Sequence, residues 1–96
     1  MNIDDSDIVV TTVDDALLRD HQMLVLVGSE VMLLSPVPSE IARICAGGMA
    51  VGDLGEHLLS VFGPPADGTS VEDKTRVRIG ELLEAGVVRI ASGDTV

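Results

Sequence analysis

The chain has almost no aromatic residues: one Phe, no Tyr and no Trp in 96 residues. Enzyme pockets and base-stacking platforms draw on aromatic and planar side chains, so this scarcity weighs against both. Basic residues are few as well. Six Lys and Arg stand against sixteen Asp and Glu, for a net charge of −10. Affinity for phosphate backbones comes from Lys and Arg, so no nucleic-acid partner is expected. A single cysteine, Cys45, excludes an intrachain disulfide. It lies at helical spacing from Ile41, which makes it a small core residue, and no electropositive neighbour marks it as a reactive thiol. No apolar run approaches the roughly 18 residues of a membrane span. The opening Met1-Asn2-Ile3-Asp4-Asp5 lacks a basic n-region. The expectation is a cytoplasmic protein with no membrane partner.

Catalytic groupings are missing too. The two histidines, His21 and His57, fall in unrelated segments with no Cys or carboxylate at metal-ligand spacing. No serine sits in a nucleophile elbow, and Gly47-Gly48-Met49-Ala50-Val51-Gly52 has neither the lysine nor the spacing of a phosphate loop. The acids form many carboxylate pairs, none in an apolar setting that would perturb it. The chain is therefore expected to have no enzymatic activity, no metal and no cofactor.

What is present reads as one α+β domain, large enough to bury roughly 60–70% of its unfolded surface. Residues 1–7 are an acidic, flexible tail. Ile8-Val9-Val10-Thr11-Thr12 is a β-branched strand. Residues 13–22 read as a loop or one helical turn around Ala16-Leu17-Leu18. Two apolar runs, Met23–Val27 and Val31–Leu34, flank Gly28-Ser29-Glu30, the signature of a β-hairpin. The second run meets a helix start, with Ser35 as candidate N-cap and prolines in the first turn.

Three helices follow. The first runs from Val37 to Ala46, with Val37, Ile41, Ile44 and Cys45 on one face and Gly47-Gly48 at its end. The second runs from Val51 to Phe62, with Leu54, Leu58, Val61 and Phe62 inward and Gly63-Pro64-Pro65 as the stop; Gly52 and Gly55 weaken its first turn. The third opens at Ser70, with Asp73 completing a variant capping box, and ends at Ala85 before Gly86. Its inward face is Thr75, Ile79, Leu82 and Leu83. Val87–Ile90 adds a short strand, and residues 91–96 read as a frayed end.

Two features point to function. The strand Glu30–Leu34 is placed to lie on a sheet edge beside a helix, an arrangement that accepts an added peptide strand. Lys74, Arg76 and Arg78, half of all the bases, fall within five residues of one helix. Lys74 and Arg78 share a face, either as a solvated strip paired with Glu72, Asp73 and Glu81 or as a local basic patch for an acidic peptide.

These residues resemble a family. Val31-Met32-Leu33-Leu34-Ser35-Pro36 leading into a helix, Val51-Gly52-Asp53-Leu54 with Leu58, and Glu81-Leu82-Leu83-Glu84-Ala85-Gly86-Val87-Val88 are similar to the PqqD-like family over residues 8–90. Its members are recognition elements for ribosomally made, post-translationally modified peptides. The resemblance implies a small winged helix-turn-helix-like fold, a three-stranded antiparallel sheet followed by three helices. It also implies a non-catalytic peptide chaperone. Such a protein binds the leader of a precursor peptide by strand addition and presents it to a separate modification enzyme or leader peptidase. Carried onto this chain, the peptide site comprises Glu30, Val31, Met32, Leu33 and Leu34 on the strand and Lys74, Thr75, Arg78 and Leu82 on the third helix. The chain departs from the family in having no aromatic residue in the hairpin and in carrying Arg78 where relatives are often apolar. The alternatives are a winged-helix DNA-binding regulator, which the net charge opposes, and a structural dimerisation domain.

Overall fold

A computed structural model describes residues 3–91. The chain order is β1 (Ile8–Thr11), β2 (Asp15–Arg19), β3 (Gln22–Val27), β4 (Glu30–Leu34), α1 (Pro36–Ile44), β5 (Met49–Ala50), α2 (Val51–Phe62), α3 (Val71–Ala85) and β6 (Val88–Ala91). Among the described residues the fold is α+β with two antiparallel three-stranded sheets, not the single sheet expected, because β1 pairs with β5 and β6 and β2 takes the third place beside the hairpin. The larger is a meander, β2-β3-β4; the smaller has the order β5-β1-β6. The residues expected at a frayed end, from 92 onward, lie outside the described residues, and Ala91 closes β6.

The segment 13–22, expected to be a loop or a helical turn, instead holds β2 and a two-residue turn. Asp20 and His21 both have positive φ, 53° and 65°, between the paired residues Arg19 and Gln22. Type I′ turns need that backbone at both central positions and favour Asn-Gly; Asp and His are among the few non-glycine residues that adopt it. The next hairpin turns at Gly28, φ 61°, between Val27 and Glu30. The Asp14 carboxylate steadies that turn by accepting from the Gly28 amide at 2.7 Å.

The core lies between the inner face of the meander, the smaller sheet and the three helices. Val9, Val25, Ile41, Cys45, Leu54, Ile79 and Val87 are all but completely buried. Burying one such aliphatic side chain contributes about 1.5–3 kcal/mol. The inward faces of α1 and α3 follow the sequence spacing. In α2, Leu54 and Leu58 are buried, but Val61 and Phe62 are exposed because the last turn runs past the core.

The described part of the expected flexible tail, residues 3–7, is bonded to the domain. Ala50, at the N-cap of α2, has no side-chain acceptor for the first helical amides. The carbonyls of Asp7 and Asp5 accept from Val51 and Gly52 instead, at 2.9 and 3.0 Å. Arg76 then holds the strap from α3, donating from Nε to the Ile3 carbonyl and from Nη2 to the Asp5 carboxylate.

Candidate functional site

β4 is an edge strand: among the described residues it pairs with β3 alone. Its register decides which main-chain groups are free. A two-residue loop makes Val27 and Glu30 a hydrogen-bonded pair, so Val25 with Met32 is the next one. Glu30 and Met32 therefore turn their main chain toward β3. Val31 and Leu33 turn theirs to the open edge, and their side chains are exposed. Met32 is half-buried, and Leu34 is buried in the core.

The end of β4 is fixed by a residue not singled out from the sequence. Ser39, on α1, is 1% exposed. Its hydroxyl accepts from the Met23 amide at 2.7 Å and donates to the Leu34 carbonyl at 2.9 Å. Met23 and Leu34 are register partners, so the hydroxyl takes the place of the last rung of the ladder and fastens the edge strand to α1. Ser35 occupies the N-cap position as expected, yet its side chain caps nothing. Pro36 and Pro38 bring no N–H to the first turn, and Pro38 stands at the third helical position, one of the two whose amide a cap would serve.

Beyond β4 a cavity of about 420 Å³ opens between the three helices and the loop joining α2 to α3. Val37, Leu58, Phe62, Pro64 and Val71 give it an apolar wall, with Lys74 and Arg78 as its cations. Val37 is three residues past Leu34, so at full extension the wall begins within about 11 Å of the strand end. Thr75 also lines the cavity, but it is 2% exposed and its hydroxyl donates to the Val71 carbonyl at 2.7 Å. It offers surface rather than a hydrogen bond. Leu82, expected on the same wall, is not part of it. Seven residues on from Thr75 and three from Ile79, it follows their face into the core and is 4% exposed.

The basic cluster is internally paired. Lys74 bonds Asp67 at 3.0 Å, Arg78 bonds Glu81 at 2.9 Å, and Arg76 faces the N-terminal strap. Hydrogen bonds from Thr69, then the Lys74 ammonium, hold the Asp67 carboxyl well below the usual carboxylate range. Lys74 and Arg78 remain about a third exposed and line the cavity, so both are accessible from it.

Glu40 on α1 receives a two-pronged bond from Arg43, at 3.0 and 2.6 Å, and stands 2.6 Å from Nε2 of His57 on α2. The Arg43 bonds, with His57 second to them and burial opposing, pull its carboxyl down to about 2. This trio ties α1 to α2. The buried Cys45 thiol is pushed up to about 11 by desolvation. Among the described residues no group of three or more His, Cys, Asp or Glu is placed to hold a metal ion. No helix among them is long and apolar enough to cross a membrane.

The structure thus brings Lys74, Thr75 and Arg78 together at one cavity near the end of β4 and excludes Leu82 from it. From the sequence Val37 and Phe62 read only as inward helix residues and Pro64 only as part of a helix stop, and nothing marks Ser39. Phe62-Gly63-Pro64-Pro65 was visible as a helix stop, and its apolar content was the available signal. Comparison with protein-family models, with curated proteins and with solved structures gives no match.

Proposed function

We propose that the chain is a PqqD-like peptide-recognition module with a winged helix-turn-helix-like core. It is non-catalytic, binds the leader of a ribosomal precursor peptide, and presents that peptide to a separate modification enzyme or leader peptidase. The observation that carries this reading is the open edge of β4, fastened at one end by Ser39 and followed by an apolar cavity with two cations. An added strand gains main-chain bonds from Val31 and Leu33. Its flanking residues supply an apolar anchor for the cavity and an acidic side chain for Lys74 or Arg78. Each main-chain bond contributes about 0.5–1.5 kcal/mol net, and an apolar anchor adds to it.

The DNA-binding alternative is weakened by the net charge of −10 and by the pairing of Lys74, Arg76 and Arg78 with carboxylates. A structural dimerisation role predicts a dimer in sedimentation that is indifferent to peptide.

The test uses a synthetic leader from the precursor gene nearest the chain's own gene. Proline is tolerated where an edge strand's N–H faces solvent, so Val31→Pro should keep the fold while deleting an open-edge donor. The expected outcome is a leader affinity reduced by about two- to tenfold, the one lost main-chain bond being worth about 0.5–1.5 kcal/mol. An unchanged affinity in a variant with wild-type circular dichroism would overturn strand addition at β4.

A further inference from the structure

The meander has a second face, turned away from the core. Leu17, Leu24 and Leu33 are cross-strand partners in one row, and Leu26 and Val31 are partners in the next. Leu17, Leu24, Val31 and Leu33 are 58%, 39%, 63% and 64% exposed. Singly exposed aliphatics need no explanation, but adjoining rows of them on one sheet mark a contact surface. The strand pattern says the same. An antiparallel strand with one wet face alternates apolar and polar residues, whereas Met23-Leu24-Val25-Leu26-Val27 is apolar on both faces. Its inner residues Met23 and Val25 meet the core; Leu24 has only its row partners Leu17 and Leu33 beside it and stays 39% exposed.

The charges around this face indicate what covers it. Asp14, Asp15, Asp20 and Glu30 stand at the strand ends and turns, and none makes an ion pair among the described residues. Arg19 and His21 are the basic residues of the 14–34 stretch. A second copy brings the same acidic rim and another ten negative charges, and an anionic membrane likewise repels it. The complement is an apolar patch bordered by Lys and Arg.

We propose that the outer face of the β2-β3-β4 sheet is a docking surface for a second protein with an apolar contact patch rimmed by basic side chains. It is separate from the peptide site: the peptide takes the main chain of the β4 edge, whereas this partner takes the outward side chains of the whole sheet.

The experiment titrates the full chain, followed by amide chemical shifts, with three short synthetic peptides. One is amphipathic Leu/Lys, one is Leu/Glu with the same apolar face, and one is Ser/Lys with the same charge. Leu/Lys should bind and shift the amides of Leu17, Leu24, Leu26, Val31 and Leu33, with Leu/Glu and Ser/Lys much weaker. Substituting Leu24→Thr and Leu33→Thr together should cut Leu/Lys affinity at least about tenfold, since two leucine contacts are lost. Thr suits a strand, so folding should survive. Asp15→Lys with Glu30→Lys supplies an independent arm, in which the preference should invert toward Leu/Glu. Equal binding of Ser/Lys would reduce the effect to charge alone, and equal binding of Leu/Glu would refute the basic rim. Shifts confined to the helix cavity would refute the location. A dimer dissociated by the Leu24/Leu33 substitutions would assign the face to a second copy. Retention of the chain on phosphatidylcholine–phosphatidylglycerol vesicles, lost with the same substitutions, would assign it to lipid. Any of these overturns the proposal.

Discussion

Ser39 does in one hydroxyl what two backbone groups do elsewhere in the ladder. Removing it leaves the Met23 amide and the Leu34 carbonyl facing each other across a gap in a buried site. Ser39→Ala should therefore lower stability by about 1–3 kcal/mol. The midpoint of urea unfolding checks this, and an unmoved midpoint would mean that the strand ends close on each other directly. Glu40 offers a second test at this scale. Its carboxyl titrates at about 2 instead of the ordinary 4.5, so the folded state favours the ionised form. The contribution is complete above about pH 4.5 and is lost as pH falls through about 2. Arg43 is half-exposed, which screens part of the attraction, so Glu40→Gln should cost about 1–2 kcal/mol at neutral pH. The gap between wild type and variant should close on acidification between those two values. A gap that persisted at pH 2 would place the effect in packing instead of charge.

At the scale of elements, legibility tracks whether a signal is carried by side chains in series or by the main chain. α2 and α3 stand where the spacing of Leu54 and Leu58, and of Thr75 and Ile79, puts them, and Ser70 caps α3 by accepting from the Asp73 amide at 3.1 Å. The β3–β4 hairpin was legible from Gly28. β2 was not, because its turn uses Asp20 and His21 in place of glycine, and because Leu17 and Leu18 stand together without alternation. The positive φ at His21 has a stability consequence. His21→Gly removes the steric penalty of that backbone at some cost in unfolded-chain entropy, for a net gain of about 0.5–1 kcal/mol. Thermal unfolding should rise by roughly 2–8 °C; a fall would show that the imidazole contributes more than the backbone loses.

For the molecule as a whole, the edge strand and the basic cluster on α3 were legible as separate features, while the cavity that α3 lines was not. It depends on the Phe62–Pro64 wall and on Val37, whose roles follow only from how the three helices close. The internal pairing of Lys74 with Asp67 and of Arg78 with Glu81 also sets how strongly these cations can select a ligand. An incoming carboxylate must displace a resident one in a solvent-screened setting, so each contact is worth about 0.2–1 kcal/mol. Lys74→Gln with Arg78→Gln should lower leader affinity by tenfold or less. It should also flatten the loss of affinity expected as salt rises past about 0.1 M, where the Debye length drops below about 10 Å. Identical salt curves for wild type and variant would leave recognition to main chain and apolar contacts. The parity of β4 reaches further than the site itself. Val31 and Leu33 offer their amides to the edge and their side chains to the outer face, so a peptide zipped along that edge becomes a fourth strand. Its own alternate side chains then widen the aliphatic floor on which a second protein would rest. On the two proposals together, cargo and receptor would be reciprocal effectors: whatever factor the peptide added to the partner's affinity, the partner would return to the peptide. A loaded chain and an empty one would then present different surfaces, and delivery would be conditional on loading without any movement of the fold.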